Sequence, residues 1–203
     1  MLSRDFILWE VDTQNDFMLP GGNLYVPGAE KLLPNIRLLT DEARHGGVFL
    51  VSHGCFHTPD DPEFEIFPPH CVRGSPGAEF VPEALTDKVA RVPNEPQAIL
   101  PDDIFAYQQI LLEKQTLNIF ESRHADALVR RLPEAQFFVF GVVTEYCVNF
   151  AAKGLLQRGR RVAVVRDAIE TLKQEEAKKT FAELTSLGAK FVTTNEALQA
   201  IHA

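Results

Sequence analysis

Six short apolar runs, most of them separated by segments of helical periodicity, restrict this chain's fold more than any other feature. The runs are Phe6 to Val11, Val48 to Ser52, Gln109 to Leu112, Phe137 to Val143, Val162 to Val165 and Lys190 to Val192. Each is bounded by turn signals and has the length of a strand buried on both faces. Between most of them, Lys31 to Arg44, Arg123 to Arg131, Glu145 to Arg158 and Glu175 to Leu187 place apolar residues three and four apart, with Gly46, Gly159 and Gly188 near their ends. Such alternation predicts a three-layer α/β/α fold around a mostly parallel central sheet of about six strands. With 203 residues and 45% hydrophobic content, the chain supports one sizeable core, so residues 1–203 read as a single domain. Residues 54–101 break the pattern, holding nine of the thirteen prolines and no long periodic segment. Phe56, Phe64, Ile66, Phe67 and Phe80 within them point to an ordered excursion over one end of the sheet rather than to disorder.

A formal charge of -8, with no basic run longer than a pair such as Arg160-Arg161, argues against a nucleic-acid or anionic-membrane surface and favours a small-molecule partner. At the N-terminus, Arg4, Asp5, Glu10 and Asp12 surround an apolar stretch too short for a signal peptide or membrane helix, so a cytoplasmic protein is expected. Cys55, Cys71 and Cys147 are an odd set without an export signal, so a disulfide framework is not expected.

In open parallel sheets, ligands bind beyond the carboxyl ends of the strands. Here four of those ends carry reactive side chains. The first ends at Asp12, the second leads to His53, Cys55 and His57, the third to Glu113-Lys114, and the fourth to Thr144-Glu145-Tyr146-Cys147. Cys147 falls in the first turn of the following helical segment with Thr144 as its N-cap, and a helix N-terminus favours a thiolate. The same turn offers the backbone N–H groups of Val143 and Cys147 as an oxyanion hole. Taken alone, Cys147 reads equally as a buried structural thiol, Asp12 as a turn former and Lys114 as a solvated strand end. Together, an acid, a cation and a helix-capping thiol at three strand ends make a consistent hydrolytic set.

The segments VDTQNDF (Val11 to Phe17), FPPHCVRGSPGAE (Phe67 to Glu79), LLEKQTLNIF (Leu111 to Phe120) and GVVTEYCV (Gly141 to Val148) resemble the isochorismatase-like cysteine hydrolase superfamily, most closely its nicotinamidase/pyrazinamidase branch. Four motifs in order cover nearly the whole chain. The resemblance implies Asp12, Lys114 and Cys147 as catalytic acid, lysine and nucleophile, and a cis peptide at Val142-Val143. It implies Phe17 and Phe67 as the rings that sandwich an aromatic substrate, a role weighed against ordinary core packing. It also implies a metal site at Cys55, His57, Glu63 and His70, with Cys55 where the family usually carries aspartate. A thiolate in place of that carboxylate favours zinc over magnesium or manganese. An empty loop held by His57 and His70 is the alternative. His53 is a less favoured stand-in ligand, and Cys71 is expected to pack inside the loop.

The implied reaction converts nicotinamide, or a similar small aromatic amide, to the acid and ammonia through a cysteine thioester, with zinc binding the pyridine nitrogen. The alternatives are a carbamoyl, ureido or aliphatic amide hydrolase of the same superfamily, cleavage of a vinyl ether, and a non-catalytic binding protein on the same fold. Superfamily members assemble into dimers and larger oligomers, so homo-oligomerisation is left open. Asp167, after the fifth run, reads as structural.

Overall fold

The computed structural model describes residues 5–203; Arg4, counted in the N-terminal charge pattern, lies outside them. Seven strands form one sheet: β1 (Phe6–Val11), β2 (Phe49–Cys55), β3 (Val89–Val92), β4 (Gln109–Lys114), β5 (Gln136–Gly141), β6 (Arg161–Ile169) and β7 (Lys190–Val192). Their order is β3-β4-β2-β1-β5-β6-β7, and every pairing is parallel. The helices are α1 (Asn15–Met18), α2 (Leu33–Arg44), α3 (Ala125–Arg131), α4 (Asn149–Gln157), α5 (Gln174–Ser186) and α6 (Thr194–His202).

Side-chain alternation along the strands divides the core into two layers. Ile7, Trp9 and Val11 of β1 face Leu128 of α3, Leu155 of α4 and Leu184 of α5, whereas Leu8 shares the opposite layer with Ile36 and Leu39 of α2 and Ala197 of α6. Each of the large side chains contributes roughly 1.5–3 kcal/mol by leaving water. The expected three-layer α/β/α arrangement is therefore present.

The sheet has one strand more than expected. β3 is a four-residue edge strand inside the proline-rich excursion, and its Ala90 and Arg91 gave no apolar run to notice. α6 also escaped the periodicity argument, although Thr193 and Glu196 form a reciprocal capping box at its start. β5 stops at Gly141 rather than at Val143. Gly141 has φ +114, and a Cβ there would come within 2.0 Å of Val11 O. β6 continues to Ile169, so Asp167 lies within a strand and not after it. Its Oδ1 accepts hydrogen bonds from Thr194 N (2.7 Å) and Oγ1 (2.9 Å), in keeping with a structural role.

One polar network is sealed inside the α2/α6 layer. Ser52 Oγ donates to Glu10 Oε2 at 2.5 Å, and Gln109 Nε2 donates to Ser52 Oγ at 2.7 Å and to Ala84 O at 3.0 Å. Gln109 Oε1 accepts from Thr86 N and Oγ1 at 2.9 and 3.1 Å. Glu10 is fully buried, its Oε1 has no hydrogen-bond partner, and no cation pairs with it among the described residues. Burial pushes its carboxyl up to about 8, against the lowering effect of Ser52 and Thr13.

Candidate active site

β1 lies mid-sheet, and the loops that follow it and its neighbours converge on one point. Asp12 follows β1 with φ 52, its N–H donating to His53 O at 2.9 Å. Lys114 is the last residue of β4 and stands in register with Cys55, the last residue of β2. Gln14 fixes that strand end by accepting the Cys55 N–H at 2.8 Å and donating to Cys55 O at 2.6 Å.

Fully buried Lys114 is the hub of the cluster. Its Nζ lies 3.0 Å from Asp12 Oδ2, 2.9 Å from Cys55 Sγ and 3.5 Å from Cys147 Sγ. Burial would strip the lysine of its charge, but Asp12 and then the two sulfurs more than offset this and hold its pKa well above the usual range. Burial likewise works against ionised Asp12, yet Lys114, His53 and Cys147 together bring its carboxyl down to about 2. Burial pushes the Cys147 thiol well up, and the Asp12 charge adds to that more than Lys114 relieves it. These directions favour an ammonium and a carboxylate beside a neutral thiol. Burial thus works against the thiolate that a helix N-terminus favours.

The local backbone also differs from the expected helix start. After the cis peptide Val142-Val143, residues Thr144–Val148 form a wide turn, with Val148 N–H donating to Val143 O at 3.2 Å, and only then does α4 begin. Tyr146, at φ -116 and ψ -106, kinks this turn. Thr144 does not cap it: its N–H and Oγ1 both donate to Glu170 O, each at 2.8 Å. Val143 and Cys147 both border the cavity above the cluster.

Beside the cluster, ligand atoms of Cys55, His57 and His70 lie within 4.8 Å of one another. The His70 imidazole is oriented for such a role. Asp61 Oδ2 stands 2.9 Å from His57 Nδ1 without forming a hydrogen bond of good geometry, and Pro68 O lies 2.8 Å from His70 Nδ1, which leaves His70 Nε2 for the centre of the group. His57 Nε2 is buried without a hydrogen-bond partner. A sulfur and two imidazole nitrogens are a donor set that suits a borderline-soft divalent ion such as zinc. Glu63 is not within that distance of all three, although its Oε1 is 3.9 Å from His70 Nε2 and it borders the same cavity. Burial raises the Glu63 carboxyl and lowers His70, and it pushes the Cys55 thiol up to about 12. His53 is not in this group. Its Nδ1 is 3.6 Å from Asp12 Oδ1, behind the carboxylate. Cys71 is buried in the excursion as expected, its N–H donating to Asp16 Oδ2 at 2.7 Å.

The cavity over Cys147 is narrow, with about 30 Å³ open to water-sized groups. Phe17 and Phe67 both border it, and each packs against His70, at centroid distances of 5.2 and 6.4 Å. Tyr146, Leu24, Leu117 and Leu172 complete its apolar walls. Neither these leucines nor Asp61 stood out in the sequence. Asp61 had one signal, an Asp-Pro turn four residues after His57.

A parallel α/β sheet with an acid, a lysine and a thiol gathered at its carboxyl edge defines a class of hydrolase-like folds. The isochorismatase domain model matches residues 7–93 and 86–196, and the chain belongs to that family as an isochorismatase-type hydrolase. It is 26% identical to the nicotinamidase of Escherichia coli K12, over 90% of this chain and 92% of the relative. The structure of Pyrococcus horikoshii pyrazinamidase in complex with zinc superposes with a TM-score of 0.75 at 29% identity, covering 93% of this chain and 99% of that one. N-carbamoylsarcosine amidase from Thermoplasma acidophilum gives 0.73 at 25% identity, covering 93% and 96%. No helix among the described residues is long and apolar enough to cross a membrane.

Proposed function

We propose that the chain is a cysteine-dependent amidohydrolase that converts nicotinamide, or a similar small uncharged aromatic amide, to the acid and ammonia. The observation that carries this reading is the composition of the cavity. Cys147 and Asp12 border it and aromatic and leucine side chains form its walls, while Lys114, which does not border it, is already paired with Asp12. Apolar walls favour a flat neutral ring, to which Phe17 and Phe67 offer aromatic partners, over a charged aliphatic group.

In this mechanism Asp12, kept ionised by Lys114, accepts the Cys147 thiol proton as sulfur attacks the amide carbon. The backbone N–H groups of Val143 and Cys147 receive the developing oxyanion. Asp12 returns the proton to the departing nitrogen, ammonia leaves, and a water deprotonated by Asp12 cleaves the thioester. Cys55, His57 and His70, with Glu63 beside them, would hold a divalent ion such as zinc, which when bound supplies a Lewis-acid contact for the ring nitrogen.

A second reading, hydrolysis of an aliphatic carbamoyl or ureido amide, draws on the similarity to N-carbamoylsarcosine amidase. Ammonia release by purified protein, measured with nicotinamide and with an N-carbamoyl amino acid, separates the two. Turnover of nicotinamide that Cys147→Ala abolishes supports the first. Turnover of the carbamoyl substrate alone, or nicotinamide turnover that survives Cys147→Ala, overturns it.

A further inference from the structure

The three residues before Cys147 grip a second loop residue by residue. Thr144 N–H and Oγ1 donate to Glu170 O, both at 2.8 Å. The Glu145 carboxylate accepts from Thr171 Oγ1 at 2.6 Å, Leu172 N–H at 3.0 Å and Lys173 N–H at 2.7 Å. Lys173 Nζ in turn donates to Tyr146 OH at 3.1 Å. The segment 170–173 is thus registered to the nucleophile's own turn across some 26 residues of sequence. Leu172, held mid-segment, borders the cavity over Cys147 although its side chain is among the exposed large hydrophobics, at 40%. A large apolar side chain half in water has no packing reason to be held there by hydrogen bonds on both flanks. Its place at the mouth supplies one.

We propose that Leu172 is a specificity-determining residue, closing the outer edge of the cavity against acyl groups that extend past it, and that Glu145 is the positioning residue that holds it there. The substrate class narrows accordingly, to carboxamides whose ring carries no substituent on the side facing Leu172. Three hydrogen bonds to one carboxylate, two of them from consecutive backbone amides, fix the loop more firmly than one neutral contact would. Without them the leucine swings from the mouth, while the Asp12, Lys114 and Cys147 groups keep their own supports.

The naming of a substrate class rests on the amidohydrolase reading, but the wall itself is testable without it. Alkylation of Cys147 by iodoacetamide and by a bulky N-benzyl haloacetamide reports the width of the mouth, the Cys147 peptide being followed by mass spectrometry apart from those of Cys55 and Cys71. Leu172→Ala and Glu145→Ala should each raise the bulky-to-small rate ratio about tenfold, the lower end of what one methylene in an apolar pocket is worth. Glu145→Gln, whose amide oxygen still accepts the two backbone N–H groups, should keep the wild-type ratio. With nicotinamide and a ring-alkylated nicotinamide, Leu172→Ala should shift kcat/KM toward the alkylated amide. An unchanged ratio in Leu172→Ala overturns the proposal. So does a Glu145→Ala variant that loses reactivity toward both reagents equally, which would mean that Glu145 serves only the nucleophile's turn. If Glu145→Ala does not fold, Thr171→Val and Leu172→Ala decide the matter. A changed ratio in a protein inactive on both amides would instead remove the nicotinamide reading and leave the wall standing.

Discussion

Replacing Glu10 by glutamine should abolish a stability term that weakens with rising pH. In the folded chain Glu10 is sealed among Ser52, Gln109 and apolar side chains with no cation among the described residues, and its carboxyl is pushed from 4.5 to about 8 by burial. In the unfolded chain it titrates near the ordinary value. A raised folded value means that the folded state binds the extra proton, so the contribution is fully present below pH about 4.5 and drains away as the pH climbs to about 8. At about 1.4 kcal/mol per pH unit the whole span is worth roughly 5 kcal/mol, of which roughly 4 kcal/mol falls between pH 5 and 8. Urea unfolding of wild type and Glu10→Gln at pH 5, 6, 7 and 8 isolates the term by difference, because the histidines titrate alike in both proteins. The wild-type stability minus that of the variant should fall by about 1.4 kcal/mol with each pH unit. A flat difference would refute the reasoning, since it would mean that Glu10 is ionised in the folded state or that its pocket admits water.

Lys114→Met should destabilise the fold by about 3–5 kcal/mol at neutral pH, because Asp12 is left as a buried unpaired anion, and denaturant titration should show part of that loss recovered in Lys114→Met/Asp12→Asn. Cys55→Asp should shift metal retention toward harder ions, with manganese or magnesium gaining relative to zinc when elemental analysis follows dialysis against equimolar mixtures. Gly141→Ala should prevent accumulation of folded protein, judged by soluble yield and circular dichroism, since the new Cβ would lie 2.0 Å from Val11 O at a φ of +114.

Much of the site could be read from strand ends. Asp12, Lys114 and Cys147 each follow or close an apolar run, and a parallel sheet brings such ends together whatever lies between them. Cys55, His57 and His70 were visible as chemistry, but Glu63 stands a step outside their group. What stayed hidden depends on contacts distant in sequence. β3 becomes a strand by pairing with β4, and its own residues lack the apolar run that would mark one. The partners of Glu145 could not be read locally, because its three donors arrive from 26 to 28 residues away. The weight of burial on Cys147 stayed hidden for a related reason. The helix terminus is written in the sequence, whereas the depth of burial that opposes it is a property of the assembled layers. His53 sits behind Asp12 because the register pairs it with Val11.

The placement of β1 between β2 and β5 has a consequence for the chain as it is made. The acid emerges early on the central strand, the lysine arrives from one flank and the sulfur from the other. No contiguous fragment short of residue 147 holds the whole set, so a ribosome-bound or truncated chain carries only ordinary thiols and a solvated carboxylate. The constellation is therefore assembled only when strands from both flanks have joined β1, and no local segment carries it.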